Sequence, residues 1–134
     1  MARVTPELVR KAIFEAYEQP FKWGQSDCVL SVIEAATVLG LLSGRGFLPP
    51  WRDKPEAIGV IRDGGGLHST VQRFLGDDLG WRRVFDADRP GDIGILRLEQ
   101  SETIMGMSDG LHWWGRTRTG AARYKCRAES WRAP

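Results

Sequence analysis

Cys28 is the residue best placed to act as a nucleophile. It follows Asp27 at what reads as the start of a helix. There the unpaired first-turn N–H groups and the helix dipole favour an anion, so a thiolate is more accessible than in a coil. Asp27 works against that activation unless its carboxylate is occupied in capping. The competing reading is that Cys28 is a small buried core residue.

A thiol nucleophile also needs a base, and the chain contains only two histidines, His68 and His112. His68 opens a helix whose apolar face is Leu67, Val71, Phe74 and Leu75, so it points to the side shared with Gln72 and is expected to be solvated. His112 stands between Leu111 and Trp113 in a predicted strand, where alternation sends its side chain to the face opposite both neighbours, a face that can meet the Cys28 helix. An ordinary hydrogen-bonded sheet histidine is the alternative. Two histidines and two distant cysteines, Cys28 and Cys126, offer no ligand pair at metal-binding spacing, so no metal or other cofactor is expected. Gly64-Gly65-Gly66 lacks the Lys-Ser/Thr of a phosphate loop and reads as a hinge between helices.

The elements that must position these residues follow from period and capping. Thr5-Pro6-Glu7 reads as a capped helix start, with Val9, Ile13 and Ala16 or Tyr17 at helical spacing and Pro20 ending the segment. A second, buried helix begins at Ser26 or Asp27 and runs through Cys28, Val32, Ala36 and Leu39 to Gly40. Asp53-Lys54-Pro55-Glu56 starts a short helix reaching about Arg62, and the Leu67 helix is expected to close at Gly76. The period then changes. Trp81–Phe85, Ile93–Leu98, Thr103–Met107, Leu111–Trp114 and Arg123–Cys126 read as short strands of an antiparallel sheet. Helices first and strands second give an α+β class, with one domain over residues 1–134.

Composition sets the outer bounds. Hydrophobic residues make up 42% of the 134, enough for a packed core. Lys and Arg total 19 against 17 Asp and Glu, too balanced to indicate a nucleic-acid binder overall. The excess is local: after Trp113 come Arg116, Arg118, Arg123, Lys125, Arg127 and Arg132 against the single acid Glu129. Arg and aromatic residues interleave there, but alternation along exposed strands explains them, and nucleic acid is not an expected partner. No run reaches the roughly 18 apolar residues of a membrane span. The first twenty residues lack the apolar core of a secretory signal, so synthesis in the cytoplasm, with export by packaging into a particle, is expected. Six tryptophans suggest that some face a partner; the alternative is that most lie under the sheet.

Taken in order, Pro20-Phe21-Lys22-Trp23-Gly24, Asp27-Cys28 opening a helix, Arg89-Pro90-Gly91-Asp92-Ile93, Met105-Gly106-Met107 and Leu111-His112 resemble the NlpC/P60 cysteine peptidases. These are papain-like enzymes that cleave peptidoglycan stem peptides. Gly65-Gly66-Leu67 and Ser130-Trp131-Arg132 bring the chain closer to the members encoded among tail genes of phages and gene transfer agents. The resemblance implies the NlpC/P60 fold, a helical lobe packed on a small C-terminal antiparallel sheet. It implies Cys28 as the nucleophile position and His112 as the third, orienting member of a Cys-His-polar triad. The central catalytic histidine corresponds to Ile104, with Thr103 before it. Phe21 replaces a tyrosine near the oxyanion site, and Val29-Leu30 replace Ser-Gly. The resemblance therefore implies a structural component of a phage or phage-like tail tip, located in the virion, docked on tail hub proteins and carrying a degenerate catalytic site. The alternative it implies is a peptidoglycan-cleaving endopeptidase of the tail tip that uses Cys28 and His112.

Overall fold

The computed structural model describes residues 3–42, 51–98 and 103–134. The Gly- and Pro-rich stretch 43–50 of the second connection lies outside the described residues. Among the described residues the chain forms four α-helices followed by a six-stranded antiparallel sheet, so the α+β class is as expected.

Each of the first three helices starts at an Asp or Thr that caps it. Thr5 Oγ1 accepts from Leu8 N–H before α1 (Pro6–Ala16), Asp27 accepts from Val29 and Leu30 N–H before α2 (Cys28–Val38), and Asp53 accepts from Glu56 N–H before α3 (Lys54–Asp63). These side chains satisfy donors that a helix start leaves open. The next helix departs from expectation. After α4 (Leu67–Val71) the backbone widens into a π-helical segment, Gln72–Asp78, and passes through Gly76 instead of closing there. A Cβ at Gly76 would lie 2.1 Å from Gln72 Nε2, the far end of a flexible side chain that can swing aside. The chain leaves the helical conformation at Gly80, whose φ is +75°.

The strands are β1 (Arg82–Val84), β2 (Ile93–Arg97), β3 (Thr103–Ser108), β4 (Trp113–Arg116), β5 (Ala121–Tyr124) and β6 (Ala128–Arg132), in sheet order β1-β6-β2-β3-β4-β5. Two of these correct the sequence expectation. The Leu111–Trp114 run starts its strand only at Trp113, leaving Leu111 and His112 in the preceding turn, where Asp109 Oδ1 accepts from both of their N–H groups at 2.8 and 2.7 Å. That local bonding competes with strand pairing and wins. The Arg123–Cys126 strand lies two residues earlier, closed by the Thr117–Gly120 turn.

One face of the sheet packs on α1 and α2. Val9, Ala12 and Ile13 of α1 and Val32, Ala35 and Ala36 of α2 meet Ile93, Ile95, Met105, Met107, Trp114 and Trp131. The alanines let the two helices and the sheet approach closely. On the other face the Trp113 indole crosses β2 at Gly94, where a Cβ would lie 2.8 Å from the ring, and its N–H reaches Asp88 Oδ2 at 3.0 Å. The tryptophans are therefore core residues. Trp51, Trp81, Trp113, Trp114 and Trp131 are all buried, and only Trp23 is partly exposed, its ring edge-on to Phe21. Of the two readings the sequence offered, this is the one with most tryptophans in the core, and not the one with some facing a partner.

An ion-pair clamp fixes β6 inside the sheet. Arg132 grips buried Asp92 with Nε and Nη2 at 2.9 and 2.8 Å, and its Nη1 reaches Asp86 at 3.2 Å. Two parallel bonds to one carboxylate give fixed geometry as well as charge neutralisation.

Candidate functional site

Cys28 is the first residue of α2, and its sulfur faces the backbone of Met105 in β3. The helix start is held by Asp27, a fully buried carboxylate with four N–H donors: Gly24 at 2.9 Å, Val29 at 3.1 Å, Leu30 at 3.0 Å and the Trp51 indole at 2.8 Å. Capping is therefore this residue's occupation, as the sequence suggested. Its link to Trp51, 24 positions away, had no signal in local spacing.

The helix start does not activate the thiol. Burial pushes the Cys28 pKa up, and the neighbouring Asp27 charge adds to it. The N–H groups of Met105, Cys28 and Val29 pull the other way without restoring the ordinary value. At neutral pH the group is a thiol. Cys28 and Cys126 are both free.

Beside Cys28 lies a cavity of about 400 Å³, bordered mostly by apolar side chains, among them Trp23, Trp51, Ile58, Ile61, Phe74 and Met105, with Asp27, Arg73 and Asp78 also on its border. Thr103 and Ile104 border it too, so the start of β3 and Cys28 share one cavity. Ile104 itself reaches across toward Gly115, whose Cβ, if present, would lie 2.5 Å from Ile104 Cδ1. No histidine is among the described residues that border the cavity.

His112 is elsewhere. It lies in the turn before β4, whose first residue, Trp113, pairs with Ser108, three residues beyond Met105 along β3. Its carbonyl accepts from Asp109 N–H at 3.0 Å, and the turn is anchored by Asp109. The structure thus does not bring Cys28 and His112 together. His68 shares a side with Gln72 and is exposed, as expected, while that side also borders β6. His68 Nδ1 pairs with Glu129, its ring lies 5.3 Å from Trp131, and Gln72 accepts from the Trp131 indole at 2.9 Å.

Two groups near the sulfur were not legible in the sequence. Tyr17, only 4% exposed, ends α1 with its hydroxyl unpaired among the described residues. Burial raises its pKa, the nearby Cys28 adds to this, and Arg116 opposes it. Buried Arg116 donates to Tyr17 O at 2.7 Å and to Gln19 O, tying the end of α1 to β4. Burial lowers the Arg116 pKa from its ordinary value. Its role as a tie between layers explains why a cation stands in a strand of otherwise apolar and glycine residues.

Among the described residues no three His, Cys, Asp or Glu side chains come together as a metal site, and no helix is long and apolar enough to cross a membrane. Fold and site together define an α+β protein with a protonated helix-start cysteine on an apolar cavity. The chain belongs to DUF6950, a family described as a domain of unknown function, which it matches over residues 3–133. No curated protein and no solved structure matches the chain.

Proposed function

We propose that the protein is a structural component of a phage or phage-like tail tip, built on an NlpC/P60-like cysteine-peptidase scaffold whose catalytic site has degenerated. One observation carries this reading. The sulfur borders the cavity that Thr103, Ile104 and Met105 also border, no histidine borders it among the described residues, and burial beside the Asp27 charge holds the sulfur as a thiol. A cysteine hydrolase that lacks its positioned base forfeits about 10²–10⁴-fold in rate. What remains is a packed scaffold able to dock. The tail-tip assignment and the hub partner rest on the sequence resemblance.

The test has two parts. Purified protein incubated with peptidoglycan should release no stem-peptide fragments above the level of Cys28→Ala. In a host producing the particles, the protein should copurify with tail tips, and Cys28→Ala should leave its incorporation unchanged. Digestion that disappears in Cys28→Ala would establish the peptidase alternative instead, and absence from purified tails would refute the assembly role.

A further inference from the structure

The cavity beside Cys28 has an interior that offers a ligand no charge. Its walls include the Trp23, Trp51 and Phe74 rings. The Trp51 indole N–H is taken by Asp27, and each oxygen of the Asp27 carboxylate already accepts two N–H groups, so its acceptor sites are filled. Cys28, a protonated thiol, adds no charge of its own. Charge enters at the border instead, where Arg73 and Asp78 are both exposed. Neither side chain has a hydrogen bond or ion pair among the described residues, so the two do not neutralise one another.

The backbone explains why both reach this border. They stand five residues apart on the π-helical segment Gln72–Asp78. At about 3.6 residues per turn an α-helix sends residues five apart to different sides. A π turn, bonded i to i+5, brings them close to one side, and such turns are frequent at functional sites.

We propose that the cavity binds a free α-amino acid with a large apolar side chain. The side chain lies among the Trp23, Trp51 and Phe74 rings, and at the border the carboxylate meets Arg73 while the ammonium meets Asp78. Size and charge together select this class. Ligand pockets run from about 300 to 1,000 Å³, and an apolar cavity of roughly 150 Å³ holds one benzene. About 400 Å³ therefore takes one large side chain with its backbone and leaves no room for a lipid with two long chains. A fatty acid would satisfy Arg73 but bring its carboxylate against Asp78, and an apolar amine would do the reverse. A residue inside a peptide carries neither charge. The zwitterion answers both.

Titration calorimetry on the whole protein compares L-phenylalanine with its amide, its N-acetyl derivative, ethylbenzene and glycine. Phenylalanine should bind and glycine should not. Removing the carboxylate or the ammonium should each weaken binding about three- to fivefold, the contribution of one exposed ion pair. Arg73→Gln should abolish the difference between phenylalanine and its amide, and Asp78→Asn the difference between phenylalanine and its N-acetyl derivative. Both positions are exposed, so both variants should keep the wild-type thermal midpoint. In a Cys126→Ala background phenylalanine should slow alkylation of Cys28 by iodoacetamide, which places the ligand in this cavity. Absence of phenylalanine binding, ethylbenzene binding as tightly as phenylalanine, or binding that leaves the alkylation rate unchanged would each overturn the assignment. The site stands on the cavity and its border alone, so its failure, read from ligand binding, stays distinct from a failure of the tail-tip role, read from purified particles.

Discussion

Replacing Asp27 with Asn tests the relation between the helix cap and the thiol in one protein. The carboxylate accepts four N–H groups and is fully buried. Asn keeps one acceptor oxygen but presents an NH₂ group to donors on the other side. If its oxygen serves Val29 and Leu30, the NH₂ faces Gly24 N–H and the Trp51 indole N–H, which become buried donors without acceptors. An orphaned buried donor costs about 1–3 kcal/mol. A helix cap contributes about 1 kcal/mol, most of which Asn retains. For two such donors the expected loss is about 2–6 kcal/mol, which at roughly 4 °C per kcal/mol lowers the thermal midpoint by about 8–24 °C. The substitution also removes the negative charge that pushes the Cys28 pKa up. The pH profile of Cys28 alkylation by iodoacetamide, in a Cys126→Ala background, should move to lower pH. Opening of a destabilised protein raises alkylation rates at every pH without moving the profile, so a variant destabilised far from the site is the control. An unchanged midpoint with an unchanged alkylation profile would refute the account of Asp27 as both cap and source of the raised thiol pKa.

Two further outcomes follow from buried contacts. Burial works against ionisation of Asp109, but the Trp114 indole, the His112 and Leu111 N–H groups and Arg10 outweigh it and take its carboxyl down to about 2. Against an unfolded value of about 3.9, this contributes about 2 kcal/mol that is fully present above pH 4 and is lost as the pH falls through 2. Urea midpoints should therefore fall between pH 4 and pH 2 in the wild type, and Asp109→Asn should flatten that part of the profile. On the other sheet face, a methyl at Gly94 would lie 2.8 Å from the Trp113 ring and 3.1 Å from Ala128 Cβ. Gly94→Ala should cost about 1–3 kcal/mol by overpacking. Chemical denaturation followed by tryptophan fluorescence measures it, and an unchanged midpoint would mean that the indole does not rest on β2.

The helical half was legible because its signals are local. Thr5, Asp27 and Asp53 each sit one residue before the helix they cap, and each bonds within three positions. The exception is the π-helical segment that runs on through Gly76, which the spacing of apolar residues did not reveal. The sheet half was less legible because its determinants are long-range. β6 contains Glu129, Ser130 and Arg132, too polar to read as a central strand, and is buried because Arg132 finds Asp92, 40 residues away. The Leu111-His112 pair has strand-forming neighbours, but Asp109 captures its N–H groups first. The helix-start cysteine was visible in the sequence. The raised thiol pKa depends on burial against β3, which no spacing encodes.

The position of β6 has a consequence for how the chain matures on the ribosome. β1 and β2 follow one another in sequence, yet β6 lies between them, paired with both. A nascent polypeptide that has emerged only as far as Arg127 owns both rims of a slot and nothing to fill it. β2 to β5 pair among themselves, but β1 waits for residues 128–132 before it joins them in one sheet, and long-range pairing of this kind is slow to nucleate. Until those residues arrive, the rims are open templates for foreign strands, so that interval is when the chain is most exposed to proteases and to misassembly.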